Sequence, residues 1–271
     1  MDTHFPFESG IYDVSPGLRP LTGKVFLFDR FDLYRRQRLA ARASRTIYME
    51  SGCPEATKAA AAGFIAARLA AEHPDFFELA AGRLHCRLTG DAVEINSGCL
   101  EPLLLQVAED AAVFQIDGER EYLAAASIAL PSSWRLEEKI GRGFAEIHEP
   151  VPGMKLAPAA AIARSLASKG PYERFAWGLT NEDVLDQHAP AHAEVQPEPL
   201  FIRVERQTTH PLAGCGAWLF TIRPSNTPAE RLTQGQREAL ARALESMTPA
   251  QAAYKGVLRT REAIAARLRR D

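Results

Sequence analysis

Apolar, aromatic and β-branched side chains concentrate in two segments, Leu200 to Arg206 and Ala217 to Arg223, which are the clearest strands of the chain; a period of two sends successive side chains of a strand to opposite faces. In the first, Phe201, Arg203 and Glu205 share one face, and Leu200, Ile202 and Val204 the other. The charged row either lines a site beside an aromatic ring or faces solvent. Thr208 to Gly216 is expected to be a loop long enough to carry function. Arg83 to Ile95 alternates on both sides of a Thr-Gly-Asp turn, which predicts a β-hairpin with Leu84, Cys86 and Leu88 opposite Val93 and Ile95. Tyr122 to Leu130 reads as an extended, buried run ending at Pro131.

Elsewhere the period is helical. Helices are expected over Phe31 to Arg45, with a dense arginine face, and from Pro54 to Glu72, closed by Pro74. Others are expected over Leu100 to Ala112, up to His148, over Pro158 to Ser168, from Thr180 or Asn181, and from Thr233 onward with a break at Tyr254-Lys255-Gly256. Residues 1 to 28 read as an irregular arm, and Gln187 to Pro199 as a polar loop. Hairpins mixed with inserted helices favour an α+β fold over a doubly wound parallel sheet.

A length of 271 residues fits one large domain or two small ones. A formal net charge of −2 implies no nucleic-acid partner. No apolar run approaches the roughly 20 residues of a membrane span, and MDTHFPFESG has neither the basic nor the apolar part of a secretory signal. Cys53, Cys86, Cys99 and Cys215 show no Cys-x-x-Cys spacing, so they read as thiols of a reducing cytoplasm. Gly141-Arg142-Gly143 and Gly214-Cys215-Gly216 do not make a dinucleotide fingerprint, and no phosphate loop or ferredoxin-type cysteine series is present. Any redox chemistry must draw its electrons from another chain.

His148 is the most informative single residue. Ile140, Phe144 and Ile147 follow helical spacing, His148 lies one turn after Phe144, and Pro150 and Pro152 stiffen the exit. Such an imidazole suits a metal or haem ligand; it equally suits a cap at the negative end of a helix. His210, before Pro211, is a second candidate in a surface loop. His188 and His192 read as solvated, and His4, His73 and His85 carry no pattern. The arginines of 35 to 45 and of 259 to 270 read as solvated helix faces or a docking surface for an acidic electron carrier.

Taken together, several motifs resemble one family. They are Gly17-Leu18-Arg19, Asp32-Leu33-Tyr34, Glu109-Asp110, Leu130-Pro131-Ser132-Ser133-Trp134 and Glu138-Lys139-Ile140-Gly141. With them come Ile147-His148-Glu149-Pro150-Val151-Pro152-Gly153, Arg174 with Trp177, Glu205-Arg206-Gln207-Thr208 and Tyr254-Lys255-Gly256. The chain resembles the haem-dependent oxidative N-demethylase family, known from the haem-binding subunit of bacterial dimethylamine monooxygenase.

The resemblance implies a single PAS-like domain over residues 1–271, with an antiparallel sheet, helices on one face, an N-terminal arm and a C-terminal helical extension. It implies haem b, dioxygen, and removal of a methyl group from a small secondary amine as formaldehyde. Electrons would come from NADPH through FMN and a [2Fe–2S] centre on partner proteins, a reductase or ferredoxin. His148 is then the axial ligand. Glu205 holds a substrate ammonium or takes a proton. Arg174, Arg203 and Arg206 are candidates for haem propionates or other anions, with a surface ion pair as the alternative for each. Family members often show Arg-x-Asn-Trp where this chain has Arg174-Phe175-Ala176-Trp177; Ala176 lacks the amide, which puts dimethylamine itself in question. Two other classes stay open: a haem-binding sensor or carrier without turnover, and a PAS-like scaffold without haem.

Overall fold

The two clearest strand segments do pair, and both run further than the sequence predicts. The computed structural model describes residues 4–15, 17–96, 98–188 and 194–270. In chain order its strands are β1 (Arg19–Pro20), β2 (Tyr48–Glu50), β3 (Phe77–Ala80), β4 (Arg83–Cys86), β5 (Ala92–Glu94), β6 (Asp110–Asp117), β7 (Arg120–Ser127), β8 (Tyr172–Thr180), β9 (Phe201–Leu212) and β10 (Ala217–Pro228). Its helices are α1 (Phe31–Ser44), α2 (Glu55–Glu72), α3 (Glu101–Leu104), α4 (Phe144–His148), α5 (Ala159–Ser168), α6 (Gln234–Glu245), α7 (Pro249–Tyr254) and α8 (Arg261–Arg270). Seven strands form one antiparallel sheet in the order β1-β8-β9-β10-β6-β7-β2. Strands β3, β4 and β5 form a separate small sheet, with Leu84 opposite Val93 as the hairpin pattern requires. The fold is α+β.

Helices cover both faces of the large sheet, not one. Strands β6 and β10 are apolar on successive residues, so each face needs a cover. Ala111, Val113, Ala217 and Leu219 pack with Ala61, Ile65 and Leu69 of α2. Ala112, Phe114 and Trp218 pack with Ala163 and Leu166 of α5. At the other end of the sheet, Trp177, Ile202 and Val204 join Phe5, Phe7 and the apolar sides of α6, α7 and α8. The N-terminal arm is thereby pinned, with the Phe7 and Trp177 rings edge to face at 5.4 Å.

Four segments differ from expectation. Tyr172–Thr180 is a strand because it finds a nine-residue register with β9; pairing overrides local helix-start signals at Asn181 to Asp183. Thr208 to Leu212 extends β9, and only residues 213–216 turn. Leu100 to Ala112 is helical only over Glu101–Leu104 before β6 begins. The helix before His148 is a five-residue α4, isolated from a preceding 3-10 turn by Gly141 at φ +78°. No helix among the described residues is long and apolar enough to cross a membrane.

The arginine face of α1 is not all solvated. Arg38 and Asp110 are each 1% exposed, with Arg38 Nη1 at 2.5 Å from Asp110 Oδ1. Asp110 also accepts the N–H groups of Ala129 and Leu130 at 2.8 Å each, and Arg38 Nη2 donates to Leu104 O at 3.1 Å. Removing one partner leaves a charge stranded in the core. Asp110→Ala should therefore lower the unfolding free energy in urea by about 3–5 kcal/mol. Arg42→Ala, which loses a half-exposed pair with Glu101, should cost under about 1 kcal/mol. Equal effects would show that burial does not set the worth of the α1 pairs.

Candidate functional site

The register of β8 on β9 sets Arg174 opposite Gln207, Ala176 opposite Glu205 and Gly178 opposite Arg203. By the two-residue period, these six residues share one face. Gln207 Nε2 donates to Glu205 Oε2 at 2.9 Å, and the Ser132 hydroxyl donates to Glu205 Oε1. Arg203 Nε donates to that same Ser132 oxygen at 2.6 Å, and its Nη2 donates to Leu130 O at 2.8 Å. Leu130 is the residue whose N–H Asp110 holds, so the buried ion pair and the charged face are joined through one short segment. Arg203 Nη1 is buried with no hydrogen-bond partner among the described residues.

His148 closes α4. Its Nδ1 lies 2.7 Å from Phe144 O, and a carbonyl can only accept. Nδ1 therefore carries the proton, and Nε2 keeps its lone pair. The imidazole rests against the Phe144 ring at 4.1 Å. Burial holds its pKa below the ordinary histidine value, and the Arg174 charge pushes the same way, so the ring is neutral at pH 7. His148 thus both caps and stays available: one nitrogen satisfies a helix carbonyl and the other is free.

Arg174 binds these groups into one electrostatic neighbourhood. Its charge acts on His148, Tyr12 and Lys255. Burial pushes the Arg174 guanidinium down and Glu205 opposes that shift, while Arg174 Nε is buried without a hydrogen-bond partner among the described residues. Strand β1 covers only Tyr172 and Glu173 of the β8 edge. Further along, Lys255 fills that edge, donating from Nζ to Trp177 O at 2.5 Å. Lys255 is half-buried as a residue, but its ammonium points inward; burial pulls it down to about 8, against the pull of Glu205. Its Nζ lies 5.8 Å from the Tyr12 ring centroid and 5.7 Å from that of Tyr254. Burial pushes the Tyr12 hydroxyl up to about 12.

Lys255, Tyr254, Tyr12, Ser132 and Gln207 are absent from the site expected on sequence. Four of them lie inside motifs already singled out, but nothing local shows that Tyr254-Lys255-Gly256 is more than a helix break. Conversely, Arg206 leaves the site. It alternates with Glu205 and so points to the opposite face, where Nε donates to Glu173 at 3.1 Å and Nη2 to Lys24 O at 2.7 Å. His210 is no loop residue: it is a buried strand histidine, 2.9 Å from Thr208 Oγ1 through Nε2 and 5.0 Å from the Phe64 ring, with burial pulling its pKa to about 3. His188 is half-buried beside Asp186, and His192 lies outside the described residues.

Among the described residues, no three His, Cys, Asp or Glu side chains gather to hold a bare metal ion. What the end of α4 and the β8–β9 face offer, among the described residues, is one imidazole nitrogen with its lone pair and two buried guanidinium nitrogens without a hydrogen-bond partner. That donor set matches a metal-bearing, anionic cofactor that supplies most of its own ligation, as a porphyrin with propionates does. A family model described as haem-dependent oxidative N-demethylase, alpha subunit-like, matches residues 30–265. The chain belongs to that family.

The inward lysine has a measurable signature. Between pH of about 8 and its ordinary value of 10.5, the unfolded chain holds the Lys255 proton and the folded chain releases it. The unfolded state binds more protons there, so this group makes stability rise with pH across that window. Urea midpoints measured through the window should climb more for the wild type than for Lys255→Met. Parallel curves would mean that the ammonium is solvated.

Proposed function

We propose that this chain is the haem-binding subunit of a cytoplasmic oxygenase that removes a methyl group from a small secondary amine, giving formaldehyde and a primary amine. The observation that carries this reading is the tautomer of His148, with Nδ1–H on Phe144 O and Nε2 free. His148 would bind the iron of haem b through Nε2, and the unpartnered nitrogens of Arg174 and Arg203 suit its propionates. When bound, haem supplies dioxygen activation.

The side chains then have separate tasks. Glu205 pairs with the substrate ammonium and takes its proton at a carboxylate oxygen, which leaves the amine lone pair free. Ser132 and Gln207 fix that carboxylate from both sides. Ala176, directly across the strand pair from Glu205, presents only a methyl group, which suits a small alkyl substituent. Lys255 and Arg174 hold positive charge around Glu205. The sequence shows no flavin or iron–sulfur motif, so electrons are assigned to NADPH, FMN and a [2Fe–2S] centre on partner proteins. The free thiols of Cys53, Cys86 and Cys215 agree with a reducing compartment. The seven-stranded antiparallel sheet with its arm and C-terminal helices is the basis for reading the chain as one PAS-like domain.

His148→Ala should lose most of its haem, seen as loss of the Soret band after reconstitution. Glu205→Gln should keep the Soret band while amine-dependent oxygen uptake falls about 100-fold or more, the usual scale for losing a general acid–base group. Full haem retention in His148→Ala would overturn the ligand assignment.

A further inference from the structure

Lys255 stands where an ammonium is poorly served. It follows Tyr254, the last residue of α7, and turns in to the open edge of β8. Its one hydrogen bond among the described residues goes to the Trp177 carbonyl at 2.5 Å. An ammonium carries three donors, so two of its protons find no acceptor there. Glu205 acts on it through the field, without a bond. The walls are aromatic. The ring centroids of Tyr12 and Tyr254 lie 5.8 and 5.7 Å from Nζ, and Tyr12 stands edge-on to Trp177 at 5.8 Å. Tyr254 is 47% exposed, so the cluster reaches the surface on that side.

A neutral amine loses little in this place. One N–H still serves Trp177 O, and the lone pair then points away from that carbonyl. Burial, which pulls the ammonium down to about 8, favours the same form. The amine is also close to the charged face. Trp177 lies between Ala176 and Gly178, which stand opposite Glu205 and Arg203 across the β8–β9 pair. A desolvated lysine amine is a nucleophile toward carbonyl carbon, and removal of a methyl group releases the smallest carbonyl compound, formaldehyde.

We propose that Lys255 is a reversible capture site for the formaldehyde released at this face. This rests on the reading of the chain as an N-demethylase. The ammonium first gives one proton to water. The Nζ lone pair then forms a C–N bond to the formaldehyde carbon, and the C=O π pair moves to oxygen. Transfer of an N–H proton to that oxygen gives a hydroxymethylamine. Loss of its hydroxyl with the remaining N–H proton, as water, gives the imine. The sum is amine plus formaldehyde to imine plus water, with nothing oxidised or reduced. In its protonated form the imine keeps one N–H for Trp177 O. Hydrolysis reverses each step, so the aldehyde is held and not consumed.

The test uses the full-length chain without haem, formaldehyde itself as the probe, and cyanoborohydride to reduce the imine to a stable methylamine. After short exposures at pH 7, peptide mass spectrometry should find Lys255 methylated about tenfold faster than the exposed Lys24, Lys155 and Lys169, the direction set by desolvation of the amine. Lys255→Arg keeps the charge and a donor for Trp177 O; it should lose the fast phase and leave the labelling of those three lysines as it was. Labelling of Lys255 no faster than theirs would overturn the capture site. Absence of formaldehyde when the haem-loaded protein is given a reductase and secondary amines would overturn the functional reading instead, and labelling by free formaldehyde would then decide Lys255 alone.

Discussion

One buried carboxylate organises the middle of this protein. Asp110 starts β6, neutralises Arg38 of α1, and holds the N–H groups of Ala129 and Leu130. A buried ion pair is a poor source of net stability against a well-packed apolar alternative, because desolvation offsets most of the attraction. Its consequence here is geometric. With both carboxylate oxygens engaged, the chain can leave β7 in only one direction. That direction carries Pro131 and Ser132 across to Arg203 and Glu205. The charged row on β9 is therefore held from outside its own sheet, by a segment that a helix arginine fixes from behind.

The second constraint is an imbalance of charge. Arg174, Arg203 and Lys255 all feel the field of Glu205, and burial pushes all three toward their neutral forms. Glu205 acts on all three, while Asp13 also acts on Arg174, and Asp110 and Asp186 on Arg203. Two of the cations also have a buried nitrogen without a partner among the described residues, which normally costs free energy in a folded protein. An anionic ligand would relieve that cost. On the opposite face Arg206 is paired with Glu173 and two backbone carbonyls.

Much of the frame is legible in the residues. Alternation places Arg203 and Glu205 on one face of β9; Pro54 and Pro74 bracket α2; the Thr-Gly-Asp turn sets Leu84 opposite Val93. These follow from local geometry, which needs only neighbouring residues to be known. Strand β8 is not legible in the same way, since Phe175 to Gly178 does not alternate and Asn181 to Asp183 imitates a helix start. The missing information is β9, about 30 residues away, whose pairing decides the matter. His210 is misplaced for the same reason: it packs near Phe64 and pairs across the sheet with Leu219, which no local pattern connects to it.

By itself the sequence determined the α+β class, the shared face of Arg203 and Glu205, the position of His148 at a helix end, and the family. Tertiary structure alone decided which groups meet. It turned Lys255 inward to Trp177, separated Arg206 from Glu205, buried Arg38, and brought Glu121 to the first N–H of α4. Periodicity fixes the direction of a side chain relative to its own backbone. What lies in that direction is fixed by strand pairing and burial between segments far apart in the chain.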